Sequence, residues 1–217
     1  MKIFLIRSVP ETKWSSEKAL NFAPKPFTLL MLCVGLFLFG LGESLIITAS
    51  TGMSPWTVLA EGLSITTNLS IGTLTFLVSL GVLLLWIPLK QQPGIGTILN
   101  VIIIAAVIEF SLPYLPHPEQ YPMKVMQVVC GTLLVGLASG IYLIANLGPG
   151  PRDGLMTGCQ RVTGLPIAWV RVFLELTVIS IGWSLGGTIG TGTIIFASGI
   201  GPAVSTGLYF VAKISKT

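Results

Sequence analysis

Six stretches of the chain, at 27–47, 71–89, 95–115, 123–146, 167–185 and 193–212, run for about 20 residues nearly without charge. A helix rising about 1.5 Å per residue crosses ~30 Å of hydrocarbon in that length. Charged residues make up only 9% of the 217, against about 25% in a water-soluble domain. Too little polar surface remains to cover a globule in water, which excludes most soluble enzymes and nucleic-acid binders. The formal net charge of +4 is therefore read as membrane topology.

Sidedness fixes the number of crossings. With six, Lys2, Arg7, Lys13, Lys18, Lys25, Lys90, Arg152, Arg161, Lys213 and Lys216 share one face, only Lys124 lies opposite, and Arg171 falls within the fifth span. Eight crossings would move Lys90 and Arg152 across. The positive-inside rule favours six, with both termini cytoplasmic. Residues 1–26 mix charges with a short apolar burst and read as a cytoplasmic segment, not a signal peptide.

The sequence also repeats itself. GMSPWTVLAEG aligns with GPGPRDGLMTG so that Gly52 meets Gly148, Pro55 meets Pro151, Leu59 meets Leu155 and Gly62 meets Gly158, each 96 positions apart. The same offset pairs Gly35 with Gly131, Gly40 with Gly136, and Gly94, Gly96, Thr97 and Ile98 with Gly190, Gly192, Thr193 and Ile194. Roughly a quarter of the positions from 31 to 114 match their partners without a gap. Apolar bias aligns Leu with Leu, but it does not align Gly and Pro punctuation across half a chain. Two units follow, 27–116 and 117–217, each with three spans and one short helix, at 55–68 and 151–164. Three crossings per unit is odd, so the second unit enters from the opposite face. The expected fold is an all-α integral membrane protein, six transmembrane helices plus two short half-helices, in a 3+3 inverted-topology tandem repeat forming one domain. Secondary transporters share that plan, with solute sites near the midplane at broken helices.

The chemistry concentrates where the short helices begin. Pro55 and Pro151 suit the first helical position, Ser54 is a good N-cap and Gly150 a weaker one, and the Gly-rich stretches before them can lead the chain back into the membrane. A buried helix start presents free N–H groups and partial positive charge, which attract carboxylates and other anions. The expected solute site is thus Gly52, Ser54, Pro55, Trp56, Thr57 and Glu61 facing Gly148, Gly150, Pro151, Arg152, Asp153 and Thr157. Thr57, Glu61, Ser64 and Asn68, with their mates Asp153, Thr157, Gln160 and Gly164, form a polar stripe on each short helix. It lines a solute path or faces water from an interfacial helix. Four charges fall within spans, Glu43, Glu109, Arg171 and Glu175, where each costs about 2.5–3.5 kcal/mol at the bilayer centre. Arg171 and Glu175 are four apart and can neutralise each other. Arg152 opposes its own helix dipole and requires compensation from Asp153, another span's glutamate or an anionic ligand.

Other patterns point nowhere specific. Cys33, Cys130 and Cys159 lack CxxC spacing and His117 stands in a Pro-rich connection, so no metal site, cofactor or catalytic residue is assigned. The GIGT and GTIGTGT glycines open spans and lack the strand and Lys of a phosphate loop. Gly136 and Gly140 form a GxxxG packing face. Asn68-Leu69-Ser70 is a glycosylation sequon only in a secretory context.

GMSPWTVL and GPGPRDGLMTG, with the six-span hydropathy and the later Gly-Thr turns, resemble the bacterial YczE/YyaS/YitT type of integral membrane protein, in its YczE-like branch. The resemblance covers about 27–210 and implies a bacterial inner-membrane location and a multi-span helical fold. Trp56 and Thr57 stand where the second unit has Arg152 and Asp153. The expected function is transport of a small anionic or zwitterionic solute, with a non-transporting accessory or regulatory membrane protein as the alternative and an enzyme not expected. The expected partners are the bilayer and that solute, without nucleic acid; homo-oligomerisation stays open.

Overall fold

The structure, a computed structural model, describes residues 9–216. Lys2 and Arg7, two of the cations assigned to the cytoplasmic face, lie outside the described residues. Eight α-helices make up the fold: α1 (Pro26–Ala49), α2 (Pro55–Thr67), α3 (Ile71–Trp86), α4 (Ile95–Ser111), α5 (Tyr121–Ala145), α6 (Pro151–Thr163), α7 (Ile167–Ser184) and α8 (Thr191–Lys216), with a 3-10 turn at Leu112–Tyr114. Among the described residues there is no strand.

Five helices, α1, α4 continued by the 3-10 turn to Tyr114, α5, α7 and α8, have the length and hydropathy of membrane spans. The sequence places another span at 71–89, but α3 stops at Trp86. Pro88 follows in a turn and Lys90 takes a left-handed φ of 51°, so the helix cannot continue. At 16 residues, α3 is about 24 Å long. It pairs with α2 across a bend of 115°.

Helix ends recur at the 96-residue offset. The described residues with positive φ are Ser50, Gly52, Asn68 and Lys90, and then Asn146, Gly148, Gly164 and Gly186. Each of the first four stands 96 positions before one of the second four. Four are left-handed C-caps, closing α1, α2, α5 and α6. Packing follows the same correspondence. α1 lies along α5, α1 packs on α4 as α5 packs on α8, and α2 packs on α7 as α6 packs on α3.

Small residues bring the central helices together. Gly131 of α5 faces Gly42 of α1, Gly136 faces Ala203 of α8, and Gly140 faces Gly207 of α8, each with no room for a Cβ. Without a hydrophobic drive inside lipid, such close backbone contact is a main source of helix association. The main core cluster joins Leu32, Leu36, Ile104, Ile108, Ile144 and Leu147. Residues 9–25 pack across one end of this bundle: Ser16 N–H donates to Ala145 O at 3.0 Å, Asn146 Nδ2 to Ser16 O at 2.8 Å, and the Trp14 indole to Ser215 Oγ at 2.9 Å.

Candidate functional site: a cavity between two helix starts

Two crossed contacts hold the chain turns that precede the short helices. Gly96 N–H, at the start of α4, donates to Leu147 O before α6 at 2.7 Å, and Gly192 N–H, at the start of α8, donates to Thr51 O before α2 at 2.8 Å. These bonds correspond at the 96-residue offset and run in opposite directions between the halves. Thr97 Oγ1 also donates to Pro149 O at 2.7 Å. Gly52 and Gly148 have φ of 106° and 112°, and a Cβ on either would strike the Gly-Thr turn of the other half. Only glycine takes that conformation without strain. The glycines at 94–96 and 190–192 are therefore docking surfaces for the returning chain.

Those turns send both short helices inward. Ser54 and Thr57 hydroxyls donate to Glu43 Oε2 at 2.9 and 2.8 Å. Glu43 lies six residues before the end of α1, about 9 Å down its axis, so α2 begins well below the level where α1 ends. Its exposure falls in the same sense: residues from Pro55 to Val58 are buried, whereas Thr66 and Thr67 are exposed. Ser54 makes no N-cap bond to its own helix; its hydroxyl is turned to the Glu43 carboxylate instead. At α6 the corresponding contact is the Tyr142 hydroxyl donating to Asp153 Oδ2 at 2.9 Å. Trp86 supports this start from below, its indole donating to Pro151 O at 3.0 Å and its ring filling the space a side chain at 154 would need.

The two starts share one cavity of about 340 Å³. Sixteen of its 24 lining residues form eight pairs at the 96-residue offset, among them Ser54 with Gly150, Trp56 with Arg152, Thr75 with Arg171 and Ser79 with Glu175. In each of the last three pairs the first half supplies a neutral group and the second a charge. The Arg152 guanidinium lies over the Trp56 ring, 5.4 Å from its centroid, within cation–π range. Among the described residues it has no hydrogen bond and no ion pair. Arg171 and Glu175, by contrast, pair at 2.8 Å on the cavity wall.

Polar atoms without partners gather here. Among the described residues five buried side-chain atoms lack a hydrogen bond; Trp56 Nε1 and Thr75 Oγ1 belong to lining residues, and Glu43 Oε1 belongs to the carboxylate that holds Ser54. Buried polar groups are ordinarily satisfied, which sets these three atoms apart. Among the described residues no three His, Cys, Asp or Glu side chains converge as a metal site would require.

The remaining residues singled out in the sequence have other positions. Thr57 is buried on Glu43. Glu61 lies outside the cavity lining, accepting from Thr188 N–H at 2.5 Å and from Thr188 Oγ1 at 3.1 Å. Thr157 Oγ1 returns to Gly154 O at 3.1 Å. Glu109 packs beside Gly72, its Oε2 without a partner. On α2 the polar stripe thus runs from a buried, bonded Thr57 to an exposed Asn68, whereas on α6 Asp153 and Thr157 are already exposed. Sequence reasoning did not single out Tyr142, Asn100, Thr75 or Ser79, which line the cavity. For Thr75 and Ser79 a signal existed, since they are the repeat mates of Arg171 and Glu175.

Comparisons with known proteins agree on the class. An uncharacterized protein of Haemophilus influenzae is 39% identical over 210 residues, covering 96% of this chain and 95% of that protein. The uncharacterized membrane protein YczE of Bacillus subtilis is 34% identical over 167 residues, 75% of this chain and 77% of YczE. The uncharacterized protein YyaS of the same species is 25% identical over 166 residues, 75% of this chain and 83% of YyaS. No solved structure matches. Residues 27–207 match the profile of a family of unknown function, DUF6198, and the chain belongs to that family, as one of its YczE-like membrane proteins.

Proposed function

We propose that this protein is a small-solute transporter of the bacterial cytoplasmic membrane, a 3+3 inverted repeat with both termini cytoplasmic and no enzymatic step. The solute is held between the starts of α2 and α6. The observation that carries this reading is the shared cavity, walled by offset-related residues of both halves and holding an Arg152 without an ion pair. A site on the boundary of two related halves is where rocking of one half against the other changes which face it opens to. The crossed Gly-Thr contacts make each half grip the other's returning chain, so such motion would be concerted.

The test is flux. Purified protein is screened for metabolites that raise its unfolding temperature, since a ligand of the folded state stabilises it, and the hits are followed into proteoliposomes. Uptake that disappears in Arg152→Ala, while the variant stays monodisperse, is the expected result. Absence of flux for every stabilising metabolite, together with a stoichiometric co-purifying protein, would support the accessory role instead.

A further inference from the structure

The charges around the cavity narrow the class of solute, provided that the cavity is the solute site. Four ionisable side chains line it: Arg152 and Arg171, Asp153 and Glu175. A fifth, Glu43, stands directly behind Ser54. With Glu43 ionised this set carries one negative charge in excess; with Glu43 protonated it is balanced. A bare anion would add uncompensated charge to a low-dielectric space in either state. A bare cation would leave Arg152 unpaired.

We infer that the cavity takes a small zwitterion, its carboxylate received by Arg152 and its ammonium by the Asp153 and Glu175 carboxylates. Arg152 fits the first role because its guanidinium is open to the cavity, has no ion pair among the described residues and is backed by the Trp56 ring. Planar bidentate donation makes arginine a strong carboxylate partner. The second role falls to acceptors that are already oriented but not saturated. Asp153 is fixed through Oδ2 by the Tyr142 hydroxyl, and Glu175 is engaged through Oε1 by Arg171. Each keeps a second oxygen for which no hydrogen bond is found. Asn100, whose amide has no hydrogen bond among the described residues, adds a neutral donor and acceptor to the same wall.

Size and wall chemistry set the rest of the molecule. A volume of about 340 Å³ lies at the lower end of ligand pockets, which run from about 300 to 1,000 Å³, and so suits an amino acid or betaine rather than a peptide. Phe39, Trp56, Tyr142 and Phe196 supply aromatic walls, able to take an apolar substituent or the face of a methylated ammonium.

The experiment compares each zwitterion with its two halves. The protein in lipid nanodiscs is titrated with the proteinogenic amino acids, γ-aminobutyrate and glycine betaine, and each that binds is compared with its carboxylic acid lacking the nitrogen group and its amine lacking the carboxylate. At least one zwitterion should bind, with both halves about tenfold or more weaker. In Arg152→Gln the zwitterion should fall to the affinity of its amine, and in Asp153→Asn towards that of its acid; Arg152→Lys should restore part of the loss. Gel filtration confirms that each variant is folded. An acid that binds as tightly as its zwitterion, with that binding lost in Arg152→Gln, overturns the inference and leaves the solute-site reading standing. Zwitterion binding unchanged in Arg152→Gln overturns both. No binding by any zwitterion overturns the inference, and flux of another solute then decides the wider reading.

Discussion

The starts of α2 and α6 occupy corresponding positions in two related halves, and they resolve the same physical problem differently. At α2 the inward-pointing N-terminus is closed: Ser54 and Thr57 are buried at 0% and 2% exposure and both donate to Glu43, itself 1% exposed. A carboxylate there also offsets the positive end of the helix dipole. At α6 the corresponding positions carry Gly150 and Asp153, with Arg152 between them. Asp153 supplies the acid, but Arg152 adds a cation where the dipole disfavours one; among the described residues it has no ion pair within 4.0 Å, although Glu43 and Asp153 lie near enough to attract it. The first start ties its two hydroxyls to Glu43 but leaves Trp56 Nε1 and Glu43 Oε1 without partners, whereas the second leaves a whole guanidinium without an ion pair among the described residues. In the proposed reading the first start is the support and the second supplies the binding group.

This contrast can be broken at the binding group first. Arg152→Ala should lower solute affinity about 100-fold, as loss of a charge-assisted pair of about 3 kcal/mol implies. Its mate Trp56→Ala should cost about tenfold, since it removes only the cation–π backing and apolar contact. Binding isotherms on both variants measure the difference, and equal losses would erase the asymmetry.

The supports come next. Gly154→Ala forces a Cβ into the Trp86 ring, and Gly182→Ala forces one into the backbone of α2 at Val58 and Leu59. Each should destabilise by about 1–3 kcal/mol in thermal or denaturant unfolding. Gly81→Ala, which meets nothing within 4 Å, should show no loss. At the closed start, Glu43→Ala leaves the Ser54 and Thr57 hydroxyls, 2.8 Å apart, only each other as partners and should cost about 1–3 kcal/mol. Glu43→Gln, which still accepts from both, should cost less and should leave the fold intact.

Much of this is legible in the sequence because its causes are local. Pro55 and Pro151 open helices wherever they stand in such a context, and left-handed caps fall at Asn68 and Gly164, where side chains and glycine favour them. The helix starting points follow from the same punctuation. The end of α3 is harder to read, because apolar character continues through Ile87 and Leu89 past the point where Pro88 ends the helix. Partners across the bundle are not legible. Glu43 has no local counterpart, and its bonds come from residues 11 and 14 positions on. Tyr142 reads as one more apolar residue of a span, and only the fold brings its hydroxyl to Asp153. Glu61 reads as part of a continuous polar stripe, yet the loop carrying Thr188 claims it.

The central claim is that two helix starts, separated by 96 positions in sequence, meet at one cavity. It is tested most directly by thiol cross-linking in native membranes. In a background with Cys33, Cys130 and Cys159 replaced, the pair Trp56→Cys and Arg152→Cys is treated with a bis-maleimide long enough to replace the two lost side chains. The Trp56 and Arg152 side chains meet across the cavity, guanidinium 5.4 Å from ring centroid, so a reagent spanning their combined reach is predicted to bridge the two thiols, and the same reagent to bridge none in Trp56→Cys paired with Val162→Cys at the exposed far end of α6. If the thiols introduced at positions 56 and 152 each react singly with a maleimide but are never bridged to one another, the two starts do not share a cavity and the account fails.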